Sequence, residues 1–146
     1  MLRGPIGVAV MIVGITVALT GPAAACRVGG DEIIFNEAPK PELSGATVIH
    51  VRFLNSGSSF ERWEERMPYN KLGTLVGVAR VTRSTAGAPD GWFPVYAGVT
   101  SCTHGFFGRP RRPWDQDAFL AGRFVRDEAG QTLFEAAGNE NGRWHF

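Results

Sequence analysis

Cysteine and histidine are scarce in this sequence, with two and three residues in 146. The histidines, His50, His104 and His145, stand in no spacing used by zinc proteases or zinc fingers. Cys102-Thr103-His104 offers two metal-type ligands, but no third or fourth follows nearby. No metal and no cofactor are therefore expected. A G-x-S-x-G elbow, a phosphate-binding glycine loop and a dinucleotide fingerprint are all missing. Asp115 and Asp117 are spaced to pair as acid and base, yet in a polar loop they read as capping or solvated groups. A nucleophilic Cys102 with a histidine base would make a thiol-dependent enzyme, but it requires an unpaired Cys102. No catalytic residue is assigned, and the chain is read as a non-enzyme.

An excess of one charge is lacking too. Lysine and arginine number 15 against 14 acidic residues. A general nucleic-acid binder shows a strong basic excess, so no nucleic-acid partner is expected. There is no internal repeat and no low-complexity tract.

What is present first is an export signal. Arg3 precedes an apolar stretch from Ile6 to Leu19, and Ala23-Ala24-Ala25 follows. A basic start, an apolar core and small residues at the cleavage positions form a secretory signal. The stretch is short of the roughly 20 apolar residues of a membrane span. Residues 1–25 are read as the signal and 26–146 as a single exported domain, periplasmic or extracellular. Removing Arg3 leaves the domain with 14 basic and 14 acidic residues.

Ala23 and Ala25 place the cleavage directly before Cys26. Two readings of that cysteine stand side by side. In an oxidising compartment Cys26 and Cys102 form a disulfide, closing a loop worth up to about 4.5 kcal/mol. In the other reading Cys26 is acylated, the protein is a membrane-anchored lipoprotein and Cys102 is unpaired. Membrane contact is expected only in the second case.

Along the mature domain, residues 27–45 form an irregular leading segment around Ile33-Ile34-Phe35. Residues 46–54 alternate, with Ile49, Val51 and Phe53 on one face and Val48, His50 and Arg52 on the other. Ser58 with Glu61 three residues on suggests a capping box. Phe60, Trp63 and Met67 then follow at helical spacing, and Pro68 ends the run. The charged residues Glu61, Arg62, Glu64, Glu65 and Arg66 read as the solvated face of that helix. Further strands are expected over 74–83, 92–101, 118–127 and 131–137. The last two are joined by Asp127-Glu128-Ala129-Gly130, a hairpin link. Gly77, Gly98 and Gly122 lie mid-strand, where sharp coiling or a bulge uses glycine. Together these elements predict an all-β fold with one short helix, a small five-stranded antiparallel OB-like barrel. Phe53, Val51, Val81 and either Phe119 or Phe124 are its expected core.

The clearest candidate binding surface is the loop from Phe106 to Trp114. It sets Phe106, Phe107 and Trp114 among Arg109, Arg111 and Arg112. Such a mixture suits a protein partner or an anionic surface ligand. The bland alternative is a proline-braced loop with aromatics packed inward.

From Thr100 the order T-S-C-T-H-G-F-F-G-R, then D-A-F-L-A-G-R-F-V, a turn and T-L-F-E-A resembles the tissue inhibitor of metalloproteinases and netrin-like module. That resemblance implies an OB-like barrel whose mature chain starts at a cysteine, here Cys26, bridged to Cys102. It also implies a metalloprotease inhibitor. The Cys26 α-amine and carbonyl would chelate the zinc of the protease, and Arg27 would enter its specificity pocket. Where the family reads Cys-x-Cys, this chain reads Cys26-Arg27-Val28. The reading of the residues themselves is an exported, non-catalytic binding module, with the inhibitor as alternative.

Overall fold

The structure is a computed structural model and describes residues 32–67, 71–98 and 114–146. The elements run β1 (Thr47–Leu54), α1 (Ser58–Arg66), β2 (Thr74–Val81), β3 (Phe93–Ala97), β4 (Asp115–Arg126), β5 (Thr132–Ala136), β6 (Gly138–Glu140) and β7 (Arg143–His145). The first five strands close into a barrel in the order β1-β2-β3-β5-β4, with the last returning to the first. This is the expected all-β fold with one short helix, OB-like in topology.

One detail of the expectation is corrected. Four neighbouring pairs are antiparallel, but β3 and β5 run parallel, with Val95 opposite Phe134 and Tyr96 opposite Glu135. The reason is arithmetic: directions cannot alternate all the way round a ring of five strands, so a closed odd ring must contain a parallel pair.

The alternation in β1 does what it predicted. Ile49, Val51 and Phe53 are almost fully buried and point into the barrel. They meet Val76 and Ala79 of β2, Phe93 and Val95 of β3, Leu120 of β4 and Phe134 of β5. Val81 and Phe124 are partly buried and pack against this cluster rather than lying within it. Ile33 of the leading segment is also buried there. The backbone of that segment bridges to the barrel at Phe35 with Phe119.

Two glycines make the interior possible. A Cβ on Gly77, beside a bulge in β2, would lie 2.2 Å from the tip of the Phe53 ring. A Cβ on Gly122 would lie 2.2 Å from the carbonyl oxygen of Glu135 in the paired strand. Both positions therefore need the missing side chain for close approach. Gly98 lies just past β3, which is shorter than the expected 92–101.

The helix forms over the expected residues, but not through a capping box. Ser58 is already the first helical residue, and the cap is Gly57, which has no side chain to offer. The carbonyl of Gly57 accepts from the N–H groups of Phe60 and Glu61 instead, both at 3.0 Å. α1 lies on the outside of the barrel. Phe60 is buried among Leu75, Val78, Tyr96 and Leu133, with Trp63 and Met67 beside it. The i, i+3, i+7 stripe read from the sequence is the stripe that packs.

The β4–β5 link turns as predicted. The Gly130 N–H donates to the Asp127 carbonyl at 3.0 Å, and the Gln131 N–H donates to the Asp127 carboxylate at 2.8 Å. The β6–β7 hairpin was not anticipated. Its turn is Asn141-Gly142, both at positive φ, a strong two-residue hairpin signal.

The disulfide expectation is withdrawn. Among the described residues no pair of sulfur atoms stands at bonding distance, whereas a bridge requires about 2.05 Å. Cys26 and Cys102 lie outside the described residues. Strand pairing around a complete ring, with its buried core, accounts for closure of the fold.

Candidate binding face

The outward side chains of β1 and β2 form rows across the barrel. In one row Asp117 of β4 stands opposite Arg52 of β1, and Arg52 stands opposite Arg80 of β2. Ala79 pairs with Phe93, so the next positions along, Arg80 and Trp92, fall side by side. The Arg80 guanidinium lies 5.5 Å from the centre of the Trp92 ring. The neighbouring row holds Asp115, Leu54 and Val78.

Like charges directly opposite each other weaken a sheet, so the facing arginines need compensation. Arg52 has it. Its Nε and Nη2 donate to Asp115 Oδ1 at 3.1 and 2.8 Å, and Nη1 stands 3.8 Å from Asp117. Among the described residues no carboxylate pairs with Arg80. Its partner is an indole, which attracts the cation without cancelling its charge. Trp92 is itself 38% exposed and is the exposed large hydrophobic side chain among the described residues.

The helix builds the opposite wall. Ser59, Arg62, Trp63 and Arg66 of α1 face Trp92 across a floor of Leu54 and Val78, enclosing a hollow of about 650 Å³. A second hollow of about 610 Å³ continues over Arg52, Arg80 and Ser56 to Asp115 and Asp117. The two share Leu54, Ser59 and Trp92, so they adjoin at these residues and are taken together as one trough. Trp63 also carries an arginine, Arg66, 5.2 Å from its ring centre.

The far end of the helix is pinned by Tyr96. Its hydroxyl donates to the Met67 carbonyl at 3.3 Å. Burial, and secondarily the charge of Asp127, pushes the Tyr96 pKa above its ordinary value of 10.0. The phenol therefore stays neutral and keeps its proton to donate.

Of the expected binding residues only Trp114 is described. It is half-buried and packs against the barrel core, and its buried indole N–H has no partner among the described residues. Its backbone N–H donates to the side chain of the buried Asn55 at 2.8 Å. Cys26, Arg27, Phe106, Phe107, Arg109, Arg111 and Arg112 lie outside the described residues. The other charged candidates are distributed differently from the expectation. Asp115 and Asp117 brace Arg52. Arg62 and Arg66, read as a solvated helix face, line the trough. His50 contacts the Thr82 hydroxyl and stands edge-on to Phe119. Among the described residues no group of three His, Cys, Asp or Glu is placed to hold a metal.

No family model matches the chain, and no curated protein or solved structure matches it. What the topology supports is the general likeness to OB-like barrels.

Proposed function

We propose that this chain is an exported, non-catalytic binding module whose ligand sits in the trough between α1 and Trp92. The observation that carries this reading is the Arg52–Arg80–Trp92 row, where an exposed indole and a cation without a matching carboxylate share one ledge. A fold by itself gives no function, but OB-like barrels commonly bind on the face near strands 2 and 3 and the neighbouring loops. Here α1 occupies the β1–β2 connection beside that face. Export rests on Arg3, the Ile6–Leu19 stretch and Ala23 to Ala25. Mass spectrometry of the secreted protein should give Cys26 as first residue, and retention of residues 1–25 would refute export by cleavage. Binding is tested by titrating the full mature chain and its Trp92→Ala variant against a panel of ligands. The variant should remain folded, melting no more than several degrees lower, and lose binding.

The finer resemblance supplies a second reading, a metalloprotease inhibitor acting through the Cys26 amine and carbonyl, with Arg27 as specificity residue. Its support is the barrel topology and the cleavage position. An unacylated mature protein should then inhibit a zinc protease, and adding one Ala before Cys26 should abolish the inhibition. Equal inhibition by both forms would remove this reading.

A further inference from the structure

We infer that the trough is a track for a linear acidic glycan, with Trp92 as the platform on which one sugar ring stacks. This deepens the binding-module reading and rests on it. Two hollows, of about 650 and 610 Å³, meet at one indole. Each is within the roughly 300–1,000 Å³ of small-ligand sites. A ligand that reaches into both passes the Trp92 indole, where a flat unit can lie against it.

The apolar surface fits a sugar better than a protein. A protein partner needs about 800 Å² per side with an apolar centre. Among the described residues Trp92 is the large hydrophobic that is exposed; polar side chains dominate on its side toward Arg52 and Asp115, and Leu54, Val78 and Trp63 share its other hollow with charged residues. One indole face is enough for a pyranose ring, whose axial C–H groups present an apolar side. The polar lining also suits hydroxyl groups, each of which donates and accepts. Ser56, Ser58 and Ser59 supply hydroxyls, and the Arg52–Asp115 pair sets donors beside an acceptor.

The charge balance narrows the ligand further. Arg62 and Arg66 face one hollow with Glu65, and Arg80 faces the other beside an Arg52 already matched by Asp115. Cations exceed anions modestly, and carboxylates stand in the same walls. A densely phosphorylated strand would be repelled by Asp115, Asp117 and Glu65. A glycan with carboxylates at wide intervals would set them at Arg80 and at the Arg62–Arg66 end. Arginine stacked on an aromatic ring keeps its N–H fork available for a carboxylate.

The test is titration of the full mature chain, by calorimetry and by tryptophan fluorescence, with a hyaluronan hexasaccharide. This probe alternates uronate and neutral N-acetylhexosamine units. The comparators are a neutral N-acetylglucosamine hexamer, hexaglutamate and an oligothymidylate. The hexasaccharide should bind, at least tenfold tighter than each comparator. Trp92→Ala should weaken it at least tenfold. Arg80→Gln should weaken it about fivefold and flatten its salt dependence, with both variants folded and melting no more than several degrees lower. Equal binding of the neutral hexamer overturns the acidic part of the inference. Equal or tighter binding of hexaglutamate or oligothymidylate, or no binding of the hexasaccharide, overturns the glycan assignment. If another probe binds and is lost in Trp92→Ala, the binding face stands without the glycan. If a probe binds and Trp92→Ala leaves its affinity unchanged, both readings fall.

Discussion

Phe53 and Arg52 are neighbours in β1, yet they stand on two surfaces built by different rules. Phe53 points inward, fully buried, and the core residues around it agree with it: apolar side chains meet apolar side chains, and Gly77 leaves the space that its ring fills. Arg52 points outward into a row where a second arginine faces it and an indole is left open to solvent. Local choices that all support the fold mark a stabilising region, and a local choice that opposes it marks a functional one. The interior is therefore where stability should reside, and the trough is where it should be given up.

The largest effects should come from inside the ring. Phe53→Ala leaves a cavity that closed strands cannot fill by moving together. It should cost about 3–5 kcal/mol in denaturant unfolding, as buried Phe truncations do. Phe60→Ala removes a ring of the same size from the outer cluster under α1. The helix is free to settle toward the barrel, so the loss should fall at the low end, about 3 kcal/mol. A Phe60→Ala cost equal to or above that of Phe53→Ala would show that the helix and barrel form one core, and would break the distinction between them.

Tyr96 tests the boundary between the two regions. Its ring belongs to the outer cluster, and its hydroxyl holds the Met67 carbonyl at the end of the helix. Tyr96→Phe should cost about 0.5–1.5 kcal/mol, the net worth of one hydrogen bond. The pH dependence is specific. The folded pKa is raised by burial, with Asp127 adding to it, so the unfolded chain loses its proton first as pH climbs past 10.0. The contribution is complete below that value and is lost as pH rises through the folded pKa. Alkaline denaturation curves of the wild type and Tyr96→Phe should converge above pH 10.0. A constant gap at every pH would mean that Tyr96 titrates alike in both states.

The same division explains what the sequence disclosed. Interior strands were legible because burial on one face writes a period of two into the chain, as Ile49, Val51 and Phe53 do. The helix was legible because Phe60, Trp63 and Met67 keep helical spacing. The parallel β3–β5 pair follows from counting strands in a closed ring, a step beyond local pattern. The trough was not legible. Arg52, Arg80, Trp92 and Asp117 are scattered over four segments, three expected strands and a polar loop, and none alone reads as a binding residue. Only the register that sets Arg52 opposite both Asp117 and Arg80 makes them a row. The Asn141-Gly142 hairpin differs, since its signal was local and sufficient.

The smallest effect on stability should be the most discriminating, because it should part from the effect on binding. Arg80→Glu replaces one of two facing arginines with a carboxylate opposite Arg52. A cross-strand pair of opposite charge is worth roughly 0.2–1 kcal/mol, although Asp115 and Asp117 already brace Arg52 and will limit the gain. The lost contact with Trp92 also subtracts from it, by about 0.5–1 kcal/mol at an exposed site. The two terms roughly cancel, so the variant should stay within about 0.5 kcal/mol of the wild type in stability, while binding of an acidic ligand disappears. Urea unfolding and calorimetric titration on the same preparation measure both quantities. A destabilisation of 1 kcal/mol or more would make Arg80 a structural residue held by Trp92. Unchanged stability with lost binding would mean that the arginine opposes the sheet because the ligand requires it.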